Sequence, residues 1–220
     1  TNVCDKALSV ITPIGLDHQA FLGESIEEIA ATKIRSIQKN VLLAPQVYDE
    51  VVDVARKIAD DIGANLRVCL QVNTEVDPYG LREIAKEKSW GEYLMDNASV
   101  ALQALALLDI KYDINDLKSV ELFGRFYPLT KNIRIDVGHN PLAAAAIEKA
   151  LDEKVILIYN SLDDKDYEQV LRILKPKVKS VEILPIHSGR ATTLEQIEKA
   201  LERVGLKYRY FENKIDENEK

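Results

Sequence analysis

Residues 7–14 read ALSVITPI, a run rich in β-branched side chains that is closed by Pro13 and Gly15. Such a run reads as a buried strand, because Val and Ile pack well on a pleated surface and Pro and Gly punctuate its end. A helix is expected next. Ser25 and Glu28 have the spacing of a capping box, and Ile26, Ile29, Ala30, Ile34 and Ile37 recur at helical intervals up to about Asn40. A second strand is expected over 41–44, a helix over 48–62 stopped by Gly63, and a third strand over 66–72. Strands alternating with helices argue for a largely parallel α/β sheet.

The turn at 77–80 (DPYG) reopens helical patterning, which runs through Leu94, Met95, Ala98, Ala101, Leu102, Leu105 and Leu108 as a long buried helix. Over 110–124 the pattern thins to a short helix at 115–120 and a bend containing Gly124, and the domain boundary is placed there, giving domains 1–120 and 121–220. Beyond it, strands at 126–129, 133–137, 155–159, 181–185 and 207–211 alternate with helices at 141–151, 167–174 and 194–204. This second half reads as a small α/β unit able to fold alone. The polar end, 213–220 (NKIDENEK), is expected to fray.

A chain of 220 residues holds one or two cores. Its 29 basic and 36 acidic residues give a net charge of −7, so the surface lacks the basic field that phosphate-backbone binding needs, and no nucleic-acid partner is expected. The apolar stretches fall short of the ~18 residues that span a bilayer, so no membrane partner is expected either. Cys4 and Cys69 show no CxxC spacing, which suits a reducing, cytoplasmic setting. The chain starts at Thr1 with neither Met nor a basic-then-apolar leader, and is expected to be a fragment without a signal peptide.

Several stretches are candidates for chemistry. Gly15-Leu16-Asp17-His18 follows a buried strand, where open α/β sheets place ligands; a polar loop is the plainer reading. Lys33 falls on the apolar stripe between Ile26 and Ile37 and is expected on the buried face, where it either snorkels or reacts as a neutral amine, for example with carbon dioxide. In Asp136-Val137-Gly138-His139-Asn140-Pro141 a strand ends and a helix starts, with Asn140 as N-cap and Pro141 at its first position. Such a turn suits a phosphate or a ribose hydroxyl, and is equally an ordinary structural turn. Gly124-Arg125-Phe126 offers a cation at the domain entry. Asp163-Asp164-Lys165-Asp166 matches the acidic preference of a helix start, His187 lacks a visible partner, and Asn97 reads as a polar group in a packed helix face. No Ser-His-Asp order, GxGxxG or GxxxxGK[ST] loop is present.

As a set, these stretches resemble the folylpolyglutamate synthase and dihydrofolate synthase family of the Mur ligase superfamily. Thr1-Asn2 and Ser9-Val10-Ile11-Thr12 resemble its LDATN and SVIT segments, Gly15 to His18 with Phe21-Leu22-Gly23 its GLDHxxxLG loop, and Glu28-Ile29-Ala30 with Lys33 its EIAxEK helix. Asn97-Ala98 resembles the NA of its long helix, Gly124-Arg125-Phe126 its GRF, Asp136 to Pro141 its DGAHNP, and Asp164-Lys165-Asp166 its DKD. The sequence departs from the pattern at Thr32, Ile34, Arg35, Val137 and Gly138.

The resemblance implies that residues 1–120 are the C-terminal part of a Mur-ligase-type central ATPase domain and that 121–220 are its C-terminal Rossmann-like α/β domain. It implies ATP-dependent addition of L-glutamate to dihydropteroate or to a folate polyglutamate through an acyl phosphate, with ATP and Mg2+ as cofactors. By position, His18 would be a magnesium ligand and Lys33 the carbamylated lysine. Asn97, Arg125 and Asp136 would bind ATP, and His139 would lie near the glutamate amine. The chain alone, without the family's glycine-rich phosphate loop, is expected to be inactive, and the full-length enzyme is expected to be a monomer. A Mur-type peptidoglycan ligase and a non-catalytic α/β binding domain are the alternatives; Gly15-Leu16-Asp17-His18 favours the folate branch.

Overall fold

The structure, a computed structural model, describes residues 4–17, 19–70, 77, 79–212 and 215. It divides into two compact units, Thr1–Val120 and Glu121–Lys220.

In the first unit β1 (Ser9–Ile11), β2 (Asn40–Leu43) and β3 (Asn65–Val68) form a parallel sheet in that order, with Ser9 opposite Val41 and Val41 opposite Leu66. Helices α1 (Gln19–Leu22), α2 (Ile26–Ile34), α3 (Asp49–Ile62), α4 (Leu81–Lys88) and α5 (Glu92–Leu107) complete it. The central strand shows why β2 is apolar from Val41 to Leu43. Val41 and Leu43 point to one side, into a cluster with Ile29, Ala30 and Ile34 of α2 and Val51 and Ala55 of α3; Leu42 packs with Ala44, Cys69 and Val100 of α5 on the other. A strand covered on both faces reads as continuous hydrophobicity.

The Ser25–Glu28 capping box opens α2 as expected, but the helix stops at Ile34, well before Asn40. The residues beyond are recruited by the chain leading into β1: Lys6 N donates to Gln38 Oε1 at 2.6 Å, and Lys6 Nζ to the Ser36 carbonyl at 2.6 Å. Ile37 is therefore buried without being helical. Helical patterning after the 77–80 turn resolves into α4 and α5, separated at Ser89, which adopts a φ of 52°. Helix α5 buries Leu94, Ala98, Ser99, Val100 and Leu102 and packs on two sides, Val100 against Leu42 of β2 and Ala98 with Leu102 against Leu81 of α4.

The second unit opens with a short antiparallel pair, β4 (Tyr127–Pro128) and β5 (Arg134–Ile135), where the sequence suggests longer strands. Then α6 (Pro141–Ala150), β6 (Val155–Tyr159), α7 (Tyr167–Leu174), β7 (Val178–Ile183), α8 (Leu194–Val204) and β8 (Tyr208–Tyr210) follow, with β6, β7 and β8 parallel in that order. The core joins Val181 and Ile183 of β7 to Val170, Leu171 and Leu174 of α7 and to Ile197, Ala200 and Leu201 of α8. Among the described residues, no helix is long and apolar enough to cross a membrane.

Candidate functional site

Two loops of the second unit meet at one carboxylate. The chain turns at Gly124, with φ 77°, and continues through Phe126 at φ 48°. The first value is free for glycine; the second is strained for an aromatic residue and needs an external restraint. Asp136, one residue past β5, supplies it. Its Oδ2 accepts from the Phe126 N–H at 2.8 Å, while Oδ1 accepts from the Gly138 N–H at 2.7 Å. Val137 N–H also donates to the Gly124 carbonyl at 3.0 Å.

Packing makes the junction tight. A Cβ on Gly124 would lie 2.9 Å from Val137 Cγ1, and one on Gly138 would lie 2.7 Å from Ile147 Cδ1 and 3.0 Å from Ala143 Cβ. Gly138 thus lets the loop lie directly on the first turns of α6. That helix starts as the sequence indicates: Asn140 accepts from the Ala143 N–H at 2.9 Å through Oδ1, and Pro141 occupies the first helical position. His139 is exposed, with Nδ1 3.1 Å from the Val137 carbonyl, and Arg125 is exposed on the facing loop. The exposed His139 imidazole lies at the positive end of a helix dipole, which suits an anion, phosphate above all, and Arg125 offers a cation on the facing loop, where its Nη1 donates to the Gly124 carbonyl at 3.4 Å.

The structure therefore brings Arg125, Asp136 and His139 together within one unit. Lys33 and Asn97 lie in the other unit, on α2 and α5, and His18 lies outside the described residues. The buried position expected for Lys33 is corrected: its side chain is exposed, because α2 ends one residue after it and the buried residues of that helix are Ile29, Ala30 and Ile34. Asn97 is likewise exposed rather than packed. Thr32, where the family pattern has an acid, donates from Oγ1 to the Leu22 carbonyl at 3.1 Å and accepts from Arg35 Nη2 at 2.9 Å, tying α2 to α1. Among the described residues, no group of three His, Cys, Asp or Glu side chains could hold a metal ion.

One residue escapes the sequence reading. Lys165 sits among acids that look like a plain helix start, and Asp166 does cap α7 by accepting from the Gln169 N–H at 3.1 Å. Yet the Lys165 side chain is only 6% exposed, 3.6 Å from Asp164, which is also held by Arg190 at 3.0 Å. A lysine flanked by three aspartates was the available signal, since buried charge requires paired charge.

The chain is 30% identical to the dihydrofolate synthase/folylpolyglutamate synthase of Escherichia coli K12, over 93% of this chain and 52% of that enzyme. It is 39% identical to the folylpolyglutamate synthetase of Helicobacter pylori in its crystal structure, with a TM-score of 0.67, covering 99% of this chain and 56% of that one. The chain belongs to the folylpolyglutamate synthase/dihydrofolate synthase family. Its fold is of the Mur ligase type, and is shared with Mycobacterium tuberculosis folylpolyglutamate synthase complexed with ADP, at 24% identity, a TM-score of 0.74, and coverage of 95% and 55%. No protein-family model matches the chain. The chain spans about half the length of the curated relatives it matches.

Proposed function

We propose that the chain is part of an ATP-dependent ligase that adds L-glutamate to dihydropteroate or to a folate polyglutamate. The observation carrying this reading is the Asp136 junction, which ties the loop that carries Arg125 to the loop that carries His139 and starts α6, in motifs that resemble the family's. In the reaction, a carboxylate oxygen of the acceptor bonds to the γ-phosphorus of ATP and ADP leaves. The glutamate nitrogen then bonds to the acyl carbon, phosphate leaves, and the nitrogen gives up a proton.

Charge neutralisation and positioning are what the protein contributes to such a transfer. By motif position Asn97 of the first unit is assigned to ATP, and so are Arg125 and Asp136 of the second, with Arg125 as the phosphate cation; His139 is assigned to the side of the glutamate amine. Lys33 is assigned to the metal side as a carbamate by its motif position alone, since its exposure removes the burial from which a reactive neutral amine was argued. Magnesium, when bound, would offset phosphoryl charge, and His18 is its assigned ligand. The described residues add no further ligand set.

The first unit corresponds to the C-terminal part of the central ATPase domain, and the second to the Rossmann-like C-terminal domain. The ligase works in the cytoplasm as a monomer, and this chain does not turn over without the rest of the enzyme. The test is phosphate release from ATP by the complete ligase. Release is expected only with glutamate and a pteroate or folate both present, whereas activity on a muramyl substrate overturns the assignment.

A further inference from the structure

We propose that Gln46 is a positioning residue for the loop that starts at Gly15, acting through the main chain of Ile14. The inference rests on the reading above, in which Gly15-Leu16-Asp17-His18 belongs by motif to the side where phosphoryl charge is offset. The parallel ladder between β1 and β2 reaches its last rung where the Ala44 N–H donates to the Ile11 carbonyl at 2.8 Å. The next rung would take an N–H from residue 13 to the Ala44 carbonyl, and Pro13 has none. Gln46 fills that place from its side chain: Nε2 donates to the Ala44 carbonyl at 2.8 Å and to the Thr12 carbonyl at 3.4 Å, while Oε1 accepts from the Ile14 N–H at 2.9 Å.

A primary amide presents the same donor and acceptor as a peptide group, so Gln46 continues the sheet past the proline that ends it. Its orientation follows from its partners. Turned over, the amide would set its NH2 against the Ile14 N–H and its oxygen against two carbonyls. Ile14 is only 3% exposed, with its side chain in the cluster of Ile29, Ala30 and Ile34. That packing holds the side chain but leaves the peptide plane between Pro13 and Ile14 free to turn. The bond to Gln46 fixes this plane, and with it the direction in which the chain enters Gly15, Leu16 and Asp17 at the C-terminal end of the sheet, where open α/β folds place their ligands.

The test reads amide exchange in the 220-residue chain and kinetics in the complete ligase. Gln46→Met, of similar length but without the amide, is expected to speed exchange at Ile14 by about fivefold, the equivalent of one neutral hydrogen bond, with β2 and α3 amides unchanged. In the ligase it raises the half-saturating ATP concentration by about tenfold and leaves that for glutamate unchanged, because the loop is misdirected rather than lost. A role in folding alone would lower kcat through the folded fraction and move neither constant. Gln46→Glu has a donor only when protonated, so its Ile14 protection, corrected for intrinsic exchange, is expected to rise as the pH falls through about 4.3. Unchanged exchange at Ile14, loosening of β2 as large as that of Ile14, or a Gln46→Glu variant without the pH trend overturns the proposal. So does wild-type ATP half-saturation in a variant whose Ile14 amide is freed. A wild-type ligase that releases no phosphate with glutamate and a folate refutes the reading of the reaction instead, and the loop anchor is then decided by exchange and its pH dependence.

Discussion

Replacing Gly124 by alanine separates two costs that the structure superimposes at the loop junction. The residue has φ 77°, and an added Cβ would stand 2.9 Å from Val137 Cγ1. The left-handed conformation costs an L-residue about 1–2 kcal/mol. Displacing a β-branched neighbour with little χ1 freedom adds about 1–2 kcal/mol, at the low end of overpacking because Val137 is 53% exposed and has solvent to move into. Gly124→Ala is therefore expected to destabilise the second unit by about 2–4 kcal/mol. Gly205, at φ 74° after α8, is the internal reference: the nearest atom to its added Cβ is the flexible Lys175 Nζ at 3.4 Å, so Gly205→Ala bears the conformational cost alone, about 1–2 kcal/mol. Native-state hydrogen exchange at β7, in the core of this unit, reads both variants on one scale. Val137→Ala should then return about 1 kcal/mol to the Gly124→Ala background while costing the wild type little. Equal losses at the two glycines, or no rescue by Val137→Ala, would show that the loops do not close against each other as described.

Two further outcomes follow from buried ionisable groups. Burial pushes the Tyr159 phenol up to about 12, with nearby Tyr167 and Asp166 adding to the rise and a hydrogen bond with Ser161 opposing it. The raised value means stability is fully present below the ordinary tyrosine range, near 10, and is lost between about 10 and 12, by no more than about 2 kcal/mol for a half-buried ring. Tyr159→Phe should flatten that alkaline loss in circular-dichroism unfolding curves, and a curve as steep as the wild type's would refute the assignment. For the thiols, burial and the Asp96 carboxylate raise Cys69 to about 11, whereas Cys4 is exposed. At pH 8 the Cys69 thiolate fraction is about 100-fold below that of free cysteine, so iodoacetamide should label Cys4 first and Cys69 only on unfolding. Equal labelling rates in the folded chain would contradict the packing of Cys69 beneath α5.

What was legible in the sequence follows a physical divide. The spans of α7 and α8 are readable to the residue because both ends are set by local chemistry: Asp166 and Thr193 cap the first turns, and Gly205 terminates α8 in the left-handed conformation. Strand ends are not local. The run 7–14 is largely apolar and rich in β-branched residues, yet β1 lasts only from Ser9 to Ile11, since its length is set by pairing with the short β2. The same holds for α2, whose end is decided by Lys6 reaching Ser36 and Gln38 from 30 and 32 residues away.

At the candidate site the divide becomes informative about function. Arg125, Asp136 and His139 were named as candidates through the motif resemblance, because their side chains carry identity in the sequence. The partners of Asp136 were invisible, because they are main-chain N–H groups of Phe126 and Gly138, which every non-proline residue possesses. An acidic residue inside a motif is naturally read as a ligand for something outside the chain. Here both of its oxygens meet backbone donors, and an aromatic residue at positive φ depends on one of them. The acid at this position therefore holds two loops together before any ligand arrives, and its presence in a motif is evidence about loop geometry as much as about what else Asp136 touches.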